Sequence, residues 1–490
     1  MASLEALREE VEAFCRARAL ALADEAGGKS PLADLGAVDR AHPSVVSPDT
    51  AAAVRALLSS ERTPEPLRPR LRALVAFLRQ AALEAGARAE DEALRRLRNA
   101  PRTLAGVTCS LREVWDRVAL EPDRLRRAAL AREATEAELE HRDAVQRRWE
   151  ATVRRAEDAS LSRPAGAVGD DALQAGAAEL LRSTEDIWRD VLAYALRRLE
   201  GRLRPLPAGD AELHDLLRLG AEALPGAFPP AGGLEAVRRW LLDCGLGLEA
   251  GGRLRLVEGI RPRAEAFTVE IPGDVRLMTP GARDGHGPLP WLLAAAGRAR
   301  ASAATAAGAT LEARRLGDAA VQGAPSWVFR GVLRSERWLR RYLGHGRRAA
   351  REVARLSALV QLGELRLDAA RLPLMRELPE AGPGPAALED LTAAVSRALH
   401  VRVAPGALLP DLGTLPAAGL RAAALAARIE RVADERFDAE EFRNPGAARW
   451  LAGLWARGSE LDAEALAEDL GGGRLELAET SARLVAVLGA

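Results

Sequence analysis

The stretch Arg261–Ser302, RPRAEAFTVEIPGDVRLMTPGARDGHGPLPWLLAAAGRARAS, decides how this chain is read. Within it Phe267–Ile271 alternates, Pro272-Gly273-Asp274 follows, and Val275–Met278 resumes the alternation. Two short runs of period two around a Pro-Gly-Asp turn predict a β-hairpin. From Leu289 onward the text is helical. Just upstream, Arg253–Val257 alternates as well, so the strand-forming residues of the chain gather at about 253–278.

Further from this centre almost everything has helical periodicity. Leu4, Leu7, Val11 and Phe14 recur at three- and four-residue steps behind Ser3, a candidate N-cap. Pro122 can open a long helix reaching about Ser160. In it Val145, Trp149 and Val153 form an apolar stripe among alternating Arg and Glu, which predicts a solvated, ion-paired face. Ile187, Val191 and Tyr194 continue the pattern behind Ser183. Gly- and Pro-rich breaks follow Arg163 and recur at Pro225–Gly233, Ala381–Pro385 and Pro405–Pro416. The expected fold is mainly α, with one small antiparallel sheet around 253–278. The expected division is an N-terminal helical lobe, 1–205, and a second lobe, 206–490.

Lys+Arg and Asp+Glu both number 70, so the chain lacks the basic excess of a protein built to neutralise phosphates. Nucleic acid is therefore not an expected partner. Lys29 is the only lysine. With so much Ala, Gly and Pro, that imbalance reads as coding bias, and recognition of acidic ligands by arginine is the alternative. Cys15, Cys109 and Cys244 lie too far apart for a CxxC pair or a disulfide framework, which predicts free thiols in a reducing compartment. Charges interrupt the first thirty residues throughout, unlike a signal peptide, and no run approaches the ~20 apolar residues of a membrane span. A cytoplasmic protein with no membrane partner is the expectation.

Motifs for chemistry are missing. The histidines are His42, His141, His214, His286, His345 and His400, and none has another three or four residues away. No helical turn can therefore present two imidazoles to one metal, and HExxH is absent. Gly245-Leu246-Gly247 and Gly344-His345-Gly346 echo half of a dinucleotide loop but follow no strand, so they read as helix ends.

Three segments nevertheless resemble one family, the thimet oligopeptidase and oligoendopeptidase F zinc metallopeptidases. In that family a β-hairpin precedes the helix that carries HExxH. Here the matching text is LAAAGRAR, with Gly297 on the glycine between the Glu and the second His. The first His then falls on Ala294, the Glu on Ala295 and the second His on Arg298. The second segment, Arg314–Gly344, is similar to the helix carrying the third zinc ligand, through Leu316-Gly317-Asp318 and Val321. The ligand Glu falls on Gly323, 25 positions after Arg298, which matches the family spacing. The third, Leu415–Leu466, resembles the closing segment through Arg443-Asn444-Pro445, Ala447, Leu451 and Leu454-Trp455. The family tyrosines that stabilise the oxyanion fall at about Leu415 and Gly419. The second lobe would then hold a former zinc helix at 289–307, a former third-ligand helix at 311–344 and C-terminal helices at 385–490.

The resemblance implies a large multi-helix oligopeptidase-like fold with a central cleft that has lost its chemistry: no zinc, no other cofactor and no catalytic residue. A pseudo-peptidase that binds a peptide, or a protein partner such as an active relative, is the expected function. The alternative is a residual hydrolase with a non-standard site, for which His286 is the nearest candidate. Arg298, His286, Trp291 and Trp327 are the expected cleft contacts. Arg298 needs a carboxylate, from within the chain or from a bound peptide. Tryptophans filling the cleft would instead mark a scaffold.

Overall fold

The structure, a computed structural model, describes residues 4–158, 171–199, 210–222, 230–259, 263–279, 288–382, 384–413, 416–437 and 443–489. Helices dominate it, as the periodicity predicts. Its main sheet sits where the alternating text does. Strand β4 (Glu265–Glu270) turns back into β5 (Asp274–Thr279) as an antiparallel hairpin, with Thr268 opposite Val275. Strand β3 (Leu254–Glu258) joins in parallel on the other side of β5, so the order is β3-β5-β4 and the sheet is mixed. The central strand has the deepest side chains, Val275 and Leu277 at 0% exposure, because both neighbours and a covering helix shield it.

A second, two-stranded hairpin lies outside the predicted sheet. Strand β1 (Arg102–Leu104) pairs with β2 (Val107–Cys109) through Ala105 and Gly106, both at positive φ. A two-residue loop with both φ values positive matches the twist of a tight hairpin, and a glycine at the second position is its usual mark.

The covering helix is Pro288–Ala304, which packs on β4 and β5 with one face and on the Ala319–Gly331 helix with another. The Pro416–Phe437 helix lies on the far side of 319–331 and is buried along most of its length. Its run Ala422-Ala423-Ala424-Leu425-Ala426-Ala427 suits that position, since small side chains let neighbours approach from every side. These elements share one apolar core. A second core gathers Trp188, Leu192 and Leu196 with the long Arg347–Ala381 helix and the C-terminal Leu477–Gly489 helix, and so draws on residues from both sides of position 205.

Several local expectations need correction. The span from Pro122 is two helices, Arg124–Glu140 and Arg142–Asp158. Asp123 caps the first by accepting from the Arg126 amide at 2.8 Å. At the break His141 turns inward, and its Nε2 lies 2.9 Å from the Arg102 guanidinium of the β1–β2 hairpin. In Glu185–Leu199 the inward stripe is Trp188, Leu192 and Leu196, one position round from Ile187 and Val191, and Tyr194 is exposed. Pro230–Gly233 begins a helix, Pro230–Asp243, with proline where its fixed φ and missing amide cost nothing. The glycine pairs are helix ends as expected: Gly245 and Gly344 have positive φ, and the Gly344 amide closes on Leu339 O. Ser3, the break after Arg163, Pro225–Gly226, His286 and Leu415 lie outside the described residues.

Candidate functional site

The Pro288–Ala304 helix has two faces. Leu289, Leu292, Leu293, Ala296 and Ala299 are core. The opposite stripe, Trp291, Ala294, Arg298, Ala301 and Ser302, recurs at three- and four-residue steps and stays half-buried or exposed. Ala294 and Arg298 therefore share one face. Ala295 turns away from it and is 5% exposed within the core.

Gly323 belongs to the neighbouring 319–331 helix. The two helices approach closely because Gly297 has no side chain: a Cβ there would overlap the Pro325 carbonyl oxygen and lie 2.8 Å from its carbon. Ser326 ties them further, its hydroxyl donating to Ala294 O at 2.9 Å. The structure thus sets Ala294 beside a residue one turn from Gly323. On the other side, Gly323 faces the Pro416–Phe437 helix, where a Cβ would meet that of Ala422 at 3.0 Å. Gly419 lies one turn before Ala422, opposite Asp368, whose carboxylate would be 2.7 Å from an added Cβ. The four positions Ala294, Arg298, Gly323 and Gly419 fall on three successive packed helices.

A concavity of about 130 Å³ opens at the Arg298 end of the stripe. Thr268, Ser302, Gln322, Arg314 and Arg315 share its wall with Arg298. Two of these arginines are committed. Arg315 donates to Thr268 O, Val269 O and Glu12 Oε1 at 2.5, 2.9 and 2.7 Å, and Arg314 donates to Ile271 O and Glu12 Oε2, both at 3.3 Å. Arg298 differs. Among the described residues it makes no hydrogen bond or ion pair, and its side chain is exposed within the groove. Crowding by the groove walls pulls its pKa below the ordinary guanidinium value, an effect that the Glu265 carboxylate opposes.

At the other end of the stripe lies a second concavity, about 200 Å³, lined by Trp291, Pro290 and leucines. Its charges are matched. Arg263 sits 4.3 Å over the Trp291 ring and donates to Asp116 at 2.6 Å, and Arg330 donates to Glu364 at 2.7 Å while lying 5.0 Å from the Trp327 ring. Trp291 is 39% exposed, so it edges this hollow without closing it. Trp327 packs against both large apolar cores. Neither tryptophan lines the Arg298 hollow.

The residues that carry the family resemblance have structural work. Gly317 leaves room for Ser459, whose Oγ would be 2.7 Å from an added Cβ. Asp318 caps the 319–331 helix by accepting from the Ala320 amide at 2.8 Å, and it also accepts from Arg421 at 3.2 and 2.9 Å and from the Ala463 amide at 3.0 Å. One carboxylate thereby joins three helices. Asn444 caps the Pro445–Ala456 helix through the Gly446 amide and donates back to Phe437 O, both at 2.8 Å. The Gly-Asp step before an apolar run was a readable cap signal for Asp318. The doublet Arg314-Arg315 gave no signal, since it reads like any solvated charge run.

A zinc ion of the peptidase type needs imidazole and carboxylate donors, with a further carboxylate to take a proton from bound water. The positions that the resemblance assigns to zinc and base supply two methyl groups, one guanidinium and a glycine, a set that does not fit the ion. Among the described residues, no group of three or more His, Cys, Asp or Glu is placed to hold a metal. None of the described helices is long and apolar enough to cross a membrane.

The fold is similar to a carboxypeptidase of Pyrococcus furiosus, with a TM-score of 0.62 and 14% identity over 100% of this chain and 99% of that one. It is also similar to metallocarboxypeptidase 1 of Trypanosoma cruzi, with a TM-score of 0.57 and 14% identity over 99% of each chain. No family model matches the chain, and no curated protein sequence matches it.

Proposed function

We propose that this protein is a degenerate relative of the oligoendopeptidase F type that binds a peptide or a protein segment along the 288–304 helix and does not cut it. The observation that carries this reading is the exposed stripe Trp291–Ala294–Arg298. It runs between two open hollows at the place where the resemblance puts zinc and base, and no donor side chain remains there. Losing one ligand can be repaired by water. Replacing two ligands by Ala294 and Gly323 and the third by a permanent cation leaves nothing to offset the repulsion between Arg298 and a divalent metal. With Ala295 in the base position, no side chain there can accept a proton from water. The peptidase-like fold and the unfilled groove support retention of binding.

The test is to incubate the purified chain with a defined peptide pool, recover the bound fraction by size exclusion and identify it by mass. Peptides retained intact at stoichiometric amounts are the expected result. Recovery of cleaved products that accumulate with time, or no retention at all, would defeat the proposal.

A further inference from the structure

We infer that the hollow around Arg298 is a carboxylate-binding site, which takes either the C-terminal carboxylate or an Asp/Glu side chain of a bound chain. This deepens the binding function proposed above and rests on it for the peptide context. Three arginines line the hollow, and one carboxylate, Glu12, sits between two of them. The remaining guanidinium, Arg298, has no ion-pair or hydrogen-bond partner among the described residues. Its planar fork of N–H donors matches a carboxylate in two parallel bonds, and such charge-assisted bonds are the strong ones. Among the described residues Glu265 is the acid whose field favours its charge, and the surrounding walls outweigh that field. A cation held in a crowded hollow keeps a larger share of its attraction for an anion than it would in open water. The Thr268 and Ser302 hydroxyls on the same wall can donate to a second oxygen or to an adjoining amide carbonyl. The vacated metal position has in effect changed sign, from a site that holds a cation to one that offers a cation.

The experiment measures affinities of the full chain, wild type and Arg298→Gln, by isothermal titration. The probes are an N-acetylated alanine tetrapeptide with a free C-terminus, its C-terminal amide, the amide carrying one internal glutamate, and succinate. An unchanged thermal midpoint in Arg298→Gln checks that the variant folds. The expected result is binding at least tenfold tighter for one carboxylate-bearing peptide than for the plain amide, with the preference lost in Arg298→Gln and partly kept in Arg298→Lys. The free-acid arm identifies a C-terminal carboxylate, and the glutamate arm identifies a side chain. Equal affinity for all three peptides, a preference that survives Arg298→Gln, or no binding of any probe overturns the inference. Peptides that bind equally and stay intact would remove the carboxylate site and leave the binding function standing. Cleavage alongside an Arg298-dependent preference would do the reverse.

Discussion

Replacing Gly297 by alanine should destabilise the protein strongly, because at this point two helix backbones meet with no side chain between them. The added Cβ would overlap Pro325 O and sit 2.8 Å from Pro325 C and 3.1 Å from Phe329 Cγ. Carbon atoms prefer separations of about 3.5–4.0 Å, so the 288–304 and 319–331 helices must part by close to ~1 Å. A rotamer change cannot relieve a clash with backbone. Overpacking of this kind costs roughly 1–3 kcal/mol, and the upper end applies here. Alanine returns about 1 kcal/mol through helix propensity, which leaves a net loss of about 2 kcal/mol. Gly453, in the Pro445–Ala456 helix, is the matched control, since nothing lies within 4 Å of its added Cβ. Gly453→Ala should gain up to about 1 kcal/mol. Urea unfolding followed by circular dichroism should therefore move the two midpoints in opposite directions at unchanged slope. A Gly297→Ala midpoint at or above the wild-type value would refute the close approach of these helices.

Asp318→Ala removes a cap, the Arg421 pair and the bond from the Ala463 amide together, and should cost about 2–3 kcal/mol in the same urea assay, with Asp318→Asn recovering part of it. Asp215→Asn strands Arg127, 2% exposed and 3.0 Å from that carboxylate, and should cost about 3–5 kcal/mol. Burial alone would raise the Asp215 pKa, but the adjacent His214 ring and the hydrogen-bonding Arg124 guanidinium reverse this and hold it well below the usual carboxylate range. Its contribution is therefore full above its ordinary value of 3.8 and is lost as pH falls through the lower folded value, so the difference between wild type and Asp215→Asn should persist from pH 7 to pH 4 and shrink only in stronger acid. Burial, and then the Arg102 guanidinium, lower the pKa of His141 below its ordinary 6.5. The folded state thus favours neutral imidazole, and this contribution is present above 6.5 and lost as pH falls below it. An NMR titration should place the His141 midpoint under 6.5, and a midpoint at or above it would contradict the buried contact with Arg102.

Local signals were legible and partnerships were not. The β4–β5 hairpin could be read because its turn residues and alternation are both local. The parallel partner β3 could not be ordered, because pairing between strands separated by a third is decided by packing alone. The helix break at His141 has no glycine or proline to announce it and coincides with an inward contact to Arg102, 39 residues away. The periodicity that includes Tyr194 points one position off the true inward face, which Trp188, the side chain that fills the core, fixes. At the site, the placement of Ala294 and Arg298 on one face follows from a four-residue step, and that was readable. The state of Arg298 was not. Arg314 and Arg315 are tied down by Glu12 and by the carbonyls of Thr268, Val269 and Ile271, all more than forty residues earlier in the chain, so nothing local distinguishes these guanidiniums from that of Arg298.

The proposal that most needs testing is that this chain, whose fold is similar to that of two carboxypeptidases, holds no peptidase-type metal. Metal content is the most direct test: the purified chain is incubated with excess zinc, desalted and assayed for zinc per chain alongside peptide cleavage with and without a chelator. The account predicts substoichiometric zinc and no chelator-sensitive cleavage. One tightly held zinc per chain, with cleavage that the chelator abolishes and zinc restores, would contradict it.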